Sequence, residues 1–90
     1  MARVEATPEE IRRFAHNLHK FDIDLSSMSF QLQAQFRELG DTWRDQEFSG
    51  YAQEFEQAMR AIDRFLNESE RQVPFLLRKA QRLEDYLQQR

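Results

Sequence analysis

Two histidines, His16 and His19, stand three residues apart, with Asp22 three further on. On a helix that spacing brings side chains toward one face. Two imidazoles and a carboxylate are the start of a zinc site, which needs four ligands. The remaining ligands would have to come from carboxylates on a second helix. Glu-x-x-His, the signature of carboxylate-bridged di-iron bundles, does not occur in the chain. Ser26, Ser27 and Ser29 gather in one stretch, but no organised base stands beside them, and a hydroxyl without a base is a poor nucleophile. There is no glycine-rich phosphate loop and no strand to precede one. These patterns favour a non-enzyme that uses no metal, no cofactor and no small-molecule substrate. A metal-binding helical bundle is the least favoured of the readings carried forward.

The elements that would carry these residues are long helices. Thr7, Pro8, Glu9 and Glu10 form a start signal: a threonine cap, proline at the first helical position and a glutamate to close a capping box. Residues 1–6 read as a frayed lead-in. Apolar residues then recur at Ile11, Phe14, Leu18, Phe21, Leu25, Met28, Leu32, Phe36, Leu39 and Trp43, alternating steps of three and four with one extra step of four. The stripe predicts a first helix over about 8–39. Gly40 is expected just beyond its end, in the left-handed conformation. The bend is expected over 40–44. Thr42 is one candidate cap for the second helix, and Asp45 capping a later start is the other.

A second stripe runs through Phe48, Ala52, Phe55, Met59, Ile62, Leu66, Ser69, Val73, Leu76, Ala80, Leu83 and Leu87. It predicts a second helix over about 45–88. Ser69 is polar within this stripe, and Pro74 removes a backbone donor, so a kink is expected near 70–74. Gly50 is expected to mark a close backbone approach. Two long helices around one short link make a single all-α domain over 1–90, an antiparallel hairpin with Trp43 at its tip.

Composition narrows the partners. The net charge is -3, from 13 basic and 16 acidic residues, which is no nucleic-acid signature. The start MARVEATPEE lacks the basic-then-apolar order of a signal peptide, and no stretch is apolar enough for a membrane span. The 90 residues include no cysteine, which excludes disulfides and fits a cytoplasmic protein. Basic residues thicken toward the C-terminus, at Arg71, Arg78, Lys79, Arg82 and Arg90, where they suit the negative end of a helix dipole.

Eight phenylalanines are more than two narrow stripes need. Ile23 and Phe30 lie off the first stripe, and Tyr51, Phe65, Phe75 and Leu77 lie off the second. Leaving such side chains in water forfeits roughly 1.5 to 3 kcal/mol each. The economical solution is a second hairpin, hence a four-helix bundle, most simply a homodimer. Ile23, Phe30, Phe55, Ile62 and Phe65 are the candidate dimer contacts. Trp43 is expected to plug the bend or to recognise a partner.

Leu39, Gly40, Asp41, Thr42, Trp43, Arg44, Asp45, Gln46, Glu47 and Phe48 carry a family likeness. A leucine one turn before a tryptophan at the bend, between two long apolar stripes, resembles the WXG100, or ESAT-6-like, superfamily. The likeness covers nearly the whole chain. Leu39, Gly40, Trp43, Asp45 and Phe48 form its bend motif here. Asp45 stands where the family's Trp-x-Gly has glycine. In that respect the chain resembles a divergent branch with Trp-Arg-Asp at the bend, which includes a small Helicobacter pylori hairpin protein. The resemblance implies a homodimeric antiparallel four-helix bundle.

Members of the superfamily are substrates of, or partners in, type VII secretion, and often carry Tyr-x-x-x-Asp/Glu after the second helix. Here Tyr86 is followed four residues later by Arg90, so that signal is not matched. The expectation is a cytoplasmic protein, with signal-peptide-independent secretion as the other route. The leading functional reading is an adaptor or chaperone-like partner acting on a heterologous helical or effector protein. The alternative is a structural or regulatory coiled-coil protein unrelated to secretion, in which Trp43 would be dispensable.

Overall fold

The computed structural model describes residues 6–89. Two helices, α1 over Pro8–Thr42 and α2 over Glu47–Gln88, pack against each other as a hairpin. At about 1.5 Å per residue they are roughly 52 and 63 Å long. Most of the lead-in expected over 1–6 lies outside the described residues, as does Arg90.

The start of α1 is built as its sequence requires. The Thr7 hydroxyl accepts from the Glu10 amide at 3.1 Å, and the Thr7 amide donates to Glu10 Oε1 at 3.0 Å. Pro8 occupies the first turn, where no amide is needed.

The end of α1 differs from expectation. The helix continues through Gly40 to Thr42, and no described glycine has positive φ. Gly40 is not a left-handed terminator. Its lack of a side chain admits the ring of Phe48: a Cβ built there would lie 3.1 Å from Phe48 Cζ. Trp43 ends the helix instead, with φ -85° and ψ 103°, its amide donating to the Leu39 carbonyl at 2.8 Å. The Thr42 hydroxyl also donates to that carbonyl, at 3.2 Å, and so serves α1 and not α2. α2 starts late, at Glu47, with Gln46 at the cap position and no side-chain cap bond from it; Asp45 Oδ1 accepts from the Glu47 amide at 2.9 Å.

Pro74 does not divide α2, which is helical through 70–74. Pro74 is exposed, so water can serve the carbonyl that it leaves without a helical donor. Gly50 departs from expectation. Nothing lies within 4 Å of a Cβ built there, so no close approach requires it.

The seam between the helices is offset from the stripe read in α1. Its buried residues are Pro8, Ala15, Asp22 and Ser29, a strict repeat of seven. Ile11, Leu18 and Leu25 flank that line and Phe36 continues it, all four half-buried, whereas Phe14, Phe21, Met28, Leu32 and Leu39 remain exposed. On α2 the stripe does face the seam, with Ser69 and Ala80 buried and Phe55, Met59, Ile62, Leu66, Val73 and Leu76 half-buried. Small residues on one helix and large ones on the other let the two backbones approach while the α2 side chains fill the seam.

Candidate functional site

At the closed end, five aromatic rings meet. Phe36 is the hub. It stacks on Phe55 with centroids 4.4 Å apart and on Phe48 at 5.4 Å, and it touches Tyr51 at 6.0 Å. Trp43 completes the cluster, edge-on to Phe48 at 5.3 Å and tilted against Tyr51 at 5.8 Å. Such ring pairs contribute about 0.5 to 1.5 kcal/mol each beyond the area they bury. Trp43 is half-buried, so it braces the bend while part of its ring stays open to solvent. Of the expected bend motif, Gly40, Trp43 and Phe48 come together in this cluster. Asp45 accepts from the Glu47 amide at the start of α2. Leu39 supplies a carbonyl to the turn while its side chain is exposed.

The five residues expected at a dimer contact fall in four places. Phe55 is in the aromatic cluster, and Ile62 lies at the seam beside Leu25 and Met59. Phe65 lies on one open face, edge-on to Phe21 at 6.0 Å. Ile23 and Phe30 lie on the opposite face, along a groove with Leu66. A heptad count agrees, because positions one step to either side of a seam face opposite ways. On Phe65's face the two helices present Phe14, Phe21, Met28, Leu32, Leu39, Tyr51, Phe75 and Tyr86, all exposed. Phe14 is 58% exposed and Met28 64%. These exposed side chains extend from Phe14 to Leu39 on α1 and from Tyr51 to Tyr86 on α2.

The other face mixes exposed apolar side chains, Ile23 and Phe30, with charged ones. Arg12 pairs with Glu84 across the helices at 2.8 Å. The hydrogen bond from Arg12 holds the Glu84 carboxyl below its ordinary value, and the guanidinium charge adds to the effect. In the seam nearby, Ser69 Oγ donates to Asp22 Oδ2 at 2.6 Å, and both residues are buried. The other carboxylate oxygen, Oδ1, is buried with no hydrogen-bond partner among the described residues. A buried acceptor left in that state costs about 1 to 3 kcal/mol, more when charged. Ser29 Oγ, also in the seam, donates to Met59 Sδ at 3.4 Å and accepts from Gln33 Nε2 at 3.2 Å.

His16 and His19 are exposed, and Asp22 turns into the seam. No group of three or more metal-capable side chains gathers among the described residues. Reading by residue type missed Phe36 as hub and Asp22 as a seam residue. The signal for both is the seven-residue series Pro8, Ala15, Asp22, Ser29, Phe36 and Trp43, whose last two members lie in the apolar stripe while Ala15, Asp22 and Ser29 are overshadowed by the bulkier Phe14, Phe21 and Met28 beside them.

No helix of the described residues is long and apolar enough to cross a membrane. No curated protein and no solved structure matches the chain. Residues 3–88 match the family described as proteins of 100 residues with WXG; at the bend this chain reads Trp43, Arg44, Asp45. A hairpin whose two long helices are closed at a tryptophan, matched over almost its whole length, is a member of the WXG100 family.

Proposed function

We propose that this protein works without catalysis, by pairing through the apolar face of its hairpin and presenting the resulting bundle to a larger protein. One observation carries the reading: the bulkiest fully buried side chain among the described residues is Ser69. The hairpin therefore has almost no core of its own. Its accessible surface is 7636 Å², against roughly 5,600 Å² for a compact monomer of this mass. The excess, roughly 2,000 Å² on one chain, is larger than the roughly 800 Å² that a standard protein–protein interface removes from each partner and is of the order set by a large obligate interface.

A second copy is the simplest partner for the face carrying Phe14, Phe21, Met28 and Phe65, because one patch then serves both subunits. The product is a homodimeric four-helix bundle. Asp45 supports placement near the Trp-x-Asp branch of the family, since an aspartate that accepts from the Glu47 amide does at the bend a job that glycine cannot. As a cytoplasmic adaptor or chaperone-like partner for an effector or export client, the bundle would act through its remaining surfaces and the half-open Trp43.

Light scattering coupled to size exclusion tests the pairing. The expected mass is that of two chains over a wide concentration range. Phe21→Glu places a charge in the middle of the apolar face and is expected to give one chain. A wild-type monomer, or a Phe21→Glu variant that stays dimeric, refutes this face as the site of self-pairing.

A further inference from the structure

We infer that the groove on the face opposite the apolar one is a docking site for a basic side chain, arginine or lysine, borne on a partner protein's helix. The groove has a volume of about 460 Å³ and is lined by Asp22, Ile23, Ser26, Phe30, Leu66 and Glu70 together with His19 and Ser27. A smaller groove adjoins it, sharing Ser26, Phe30 and Leu66 and adding Asp63. Neither contains a lysine or arginine.

The unsatisfied atom is Asp22 Oδ1. Asp22 is 6% exposed and lines the groove, and its Oδ2 is already taken by Ser69. That oxygen is closed to the groove itself, so Asp22 acts on a cation there through its charge, while the exposed Glu70 and Asp63 on the rim can meet the cationic head directly. The surroundings suit a long basic side chain. Ile23, Phe30 and Leu66 would cover its methylenes while its head reaches those rim carboxylates. Both rims repeat at seven residues: Ile23 and Phe30 on α1, Asp63 and Glu70 on α2. Seven residues are two helical turns, the repeat with which a third helix laid along the trough would present its side chains. That repeat commits the occupant to a helix and not to a free amine.

The inference rests on reading the chain as an interaction module, but not on self-pairing, which uses the other face. The test is amide NMR of the full-length isotopically labelled protein. Two probes are titrated: butylguanidinium, and a short alanine-rich helical peptide with one arginine between two leucines. The expected shifts cluster at His19, Ile23, Ser26, Phe30 and Glu70, with the peptide binding at least about tenfold more tightly than the small cation. Asp22→Asn keeps an acceptor for Ser69 and removes the charge, so the fold persists by circular dichroism and peptide affinity drops about tenfold or more. Replacing the peptide's arginine by glutamine is expected to have the same effect.

Equal affinity for the two probes overturns the helix-borne occupant. Undiminished binding by Asp22→Asn overturns the role of the carboxylate, as do shifts spread evenly over the acidic surface. If Asp22→Asn changes the wild-type mass in light scattering, the groove belongs to a second copy and the heterologous partner is refuted. Failure of self-pairing is read separately, from the mass of Phe21→Glu.

Discussion

Replacing each of the two glycines by alanine separates helix propensity from packing. Both lie within helices, and neither has positive φ, so alanine gains up to about 0.8 to 1 kcal/mol of helix stability at either site. At Gly50 nothing lies within 4 Å of the new methyl. Its position in the first turns of α2 reduces the gain, and Gly50→Ala is expected to stabilise by about 0.5 to 1 kcal/mol. At Gly40 the same methyl meets Phe48 Cζ at 3.1 Å. The Phe48 ring would have to retreat by a few tenths of an ångström, but it is stacked on Phe36 and held edge-on by Trp43. Overpacking of this kind costs about 1 to 3 kcal/mol. The balance makes Gly40→Ala destabilising by about 1 kcal/mol. In thermal terms it should lower Tm by about 4 to 8 °C, while Gly50→Ala raises it by a few degrees. Urea and thermal unfolding followed by helical circular dichroism measure both, at one fixed protein concentration because self-association would shift the midpoint. A Gly40→Ala variant as stable as Gly50→Ala would refute the reasoning, by showing that the aromatic cluster yields freely.

Trp43→Ala should cost about 2 to 3 kcal/mol, below the 3 to 5 typical of a fully buried tryptophan, because the ring is only half-buried; an unchanged urea midpoint would remove it from the bend's stability. Ser69→Ala strands both oxygens of Asp22 and should cost about 1 to 3 kcal/mol, whereas the double variant with Asp22→Ala should cost less than the two singles added. Additive losses in that cycle would refute the pairing. Glu84 and Glu10 have carboxyls lowered from the ordinary value of 4.5, Glu84 by its hydrogen bond from Arg12 and Glu10 by the one from the Thr7 amide. Their contributions are therefore present above 4.5 and lost as pH falls through the lower folded values. Glu84→Gln should flatten the acid side of the stability–pH curve, and an unaltered acid limb would exclude the Arg12 pair as a source of that dependence.

The hairpin was legible because its signals are local. Thr7, Pro8 and Glu10 satisfy free amides within one turn, and apolar steps of three and four over both segments admit only long helices. The bend was legible in its members but not in their roles. Gly40 looked like a helix terminator because glycine commonly is one, yet its use depends on Phe48, eight residues away on the other helix. Gly50 looked like a close approach and has open space. The α1 stripe was read one position aside because the larger side chains of Phe14, Phe21 and Met28 outweigh the small ones of Ala15, Asp22 and Ser29 in any count of hydrophobicity.

The amino-acid sequence by itself determined two helices, their approximate limits and a bend at Trp43, since capping, propensity and periodicity act within a few residues. It also announced more apolar surface than two helices consume. Which part of that surface stays open was decided only by the tertiary structure. A helix with apolar residues over a broad arc can turn several ways toward its neighbour. The choice follows from what both helices bring to the seam, and here small and polar residues of α1 face the large ones of α2. That rotation sends Phe14, Phe21 and Met28 outward and brings Asp22 to Ser69, because close backbone approach and a buried hydrogen bond depend on both helices at once.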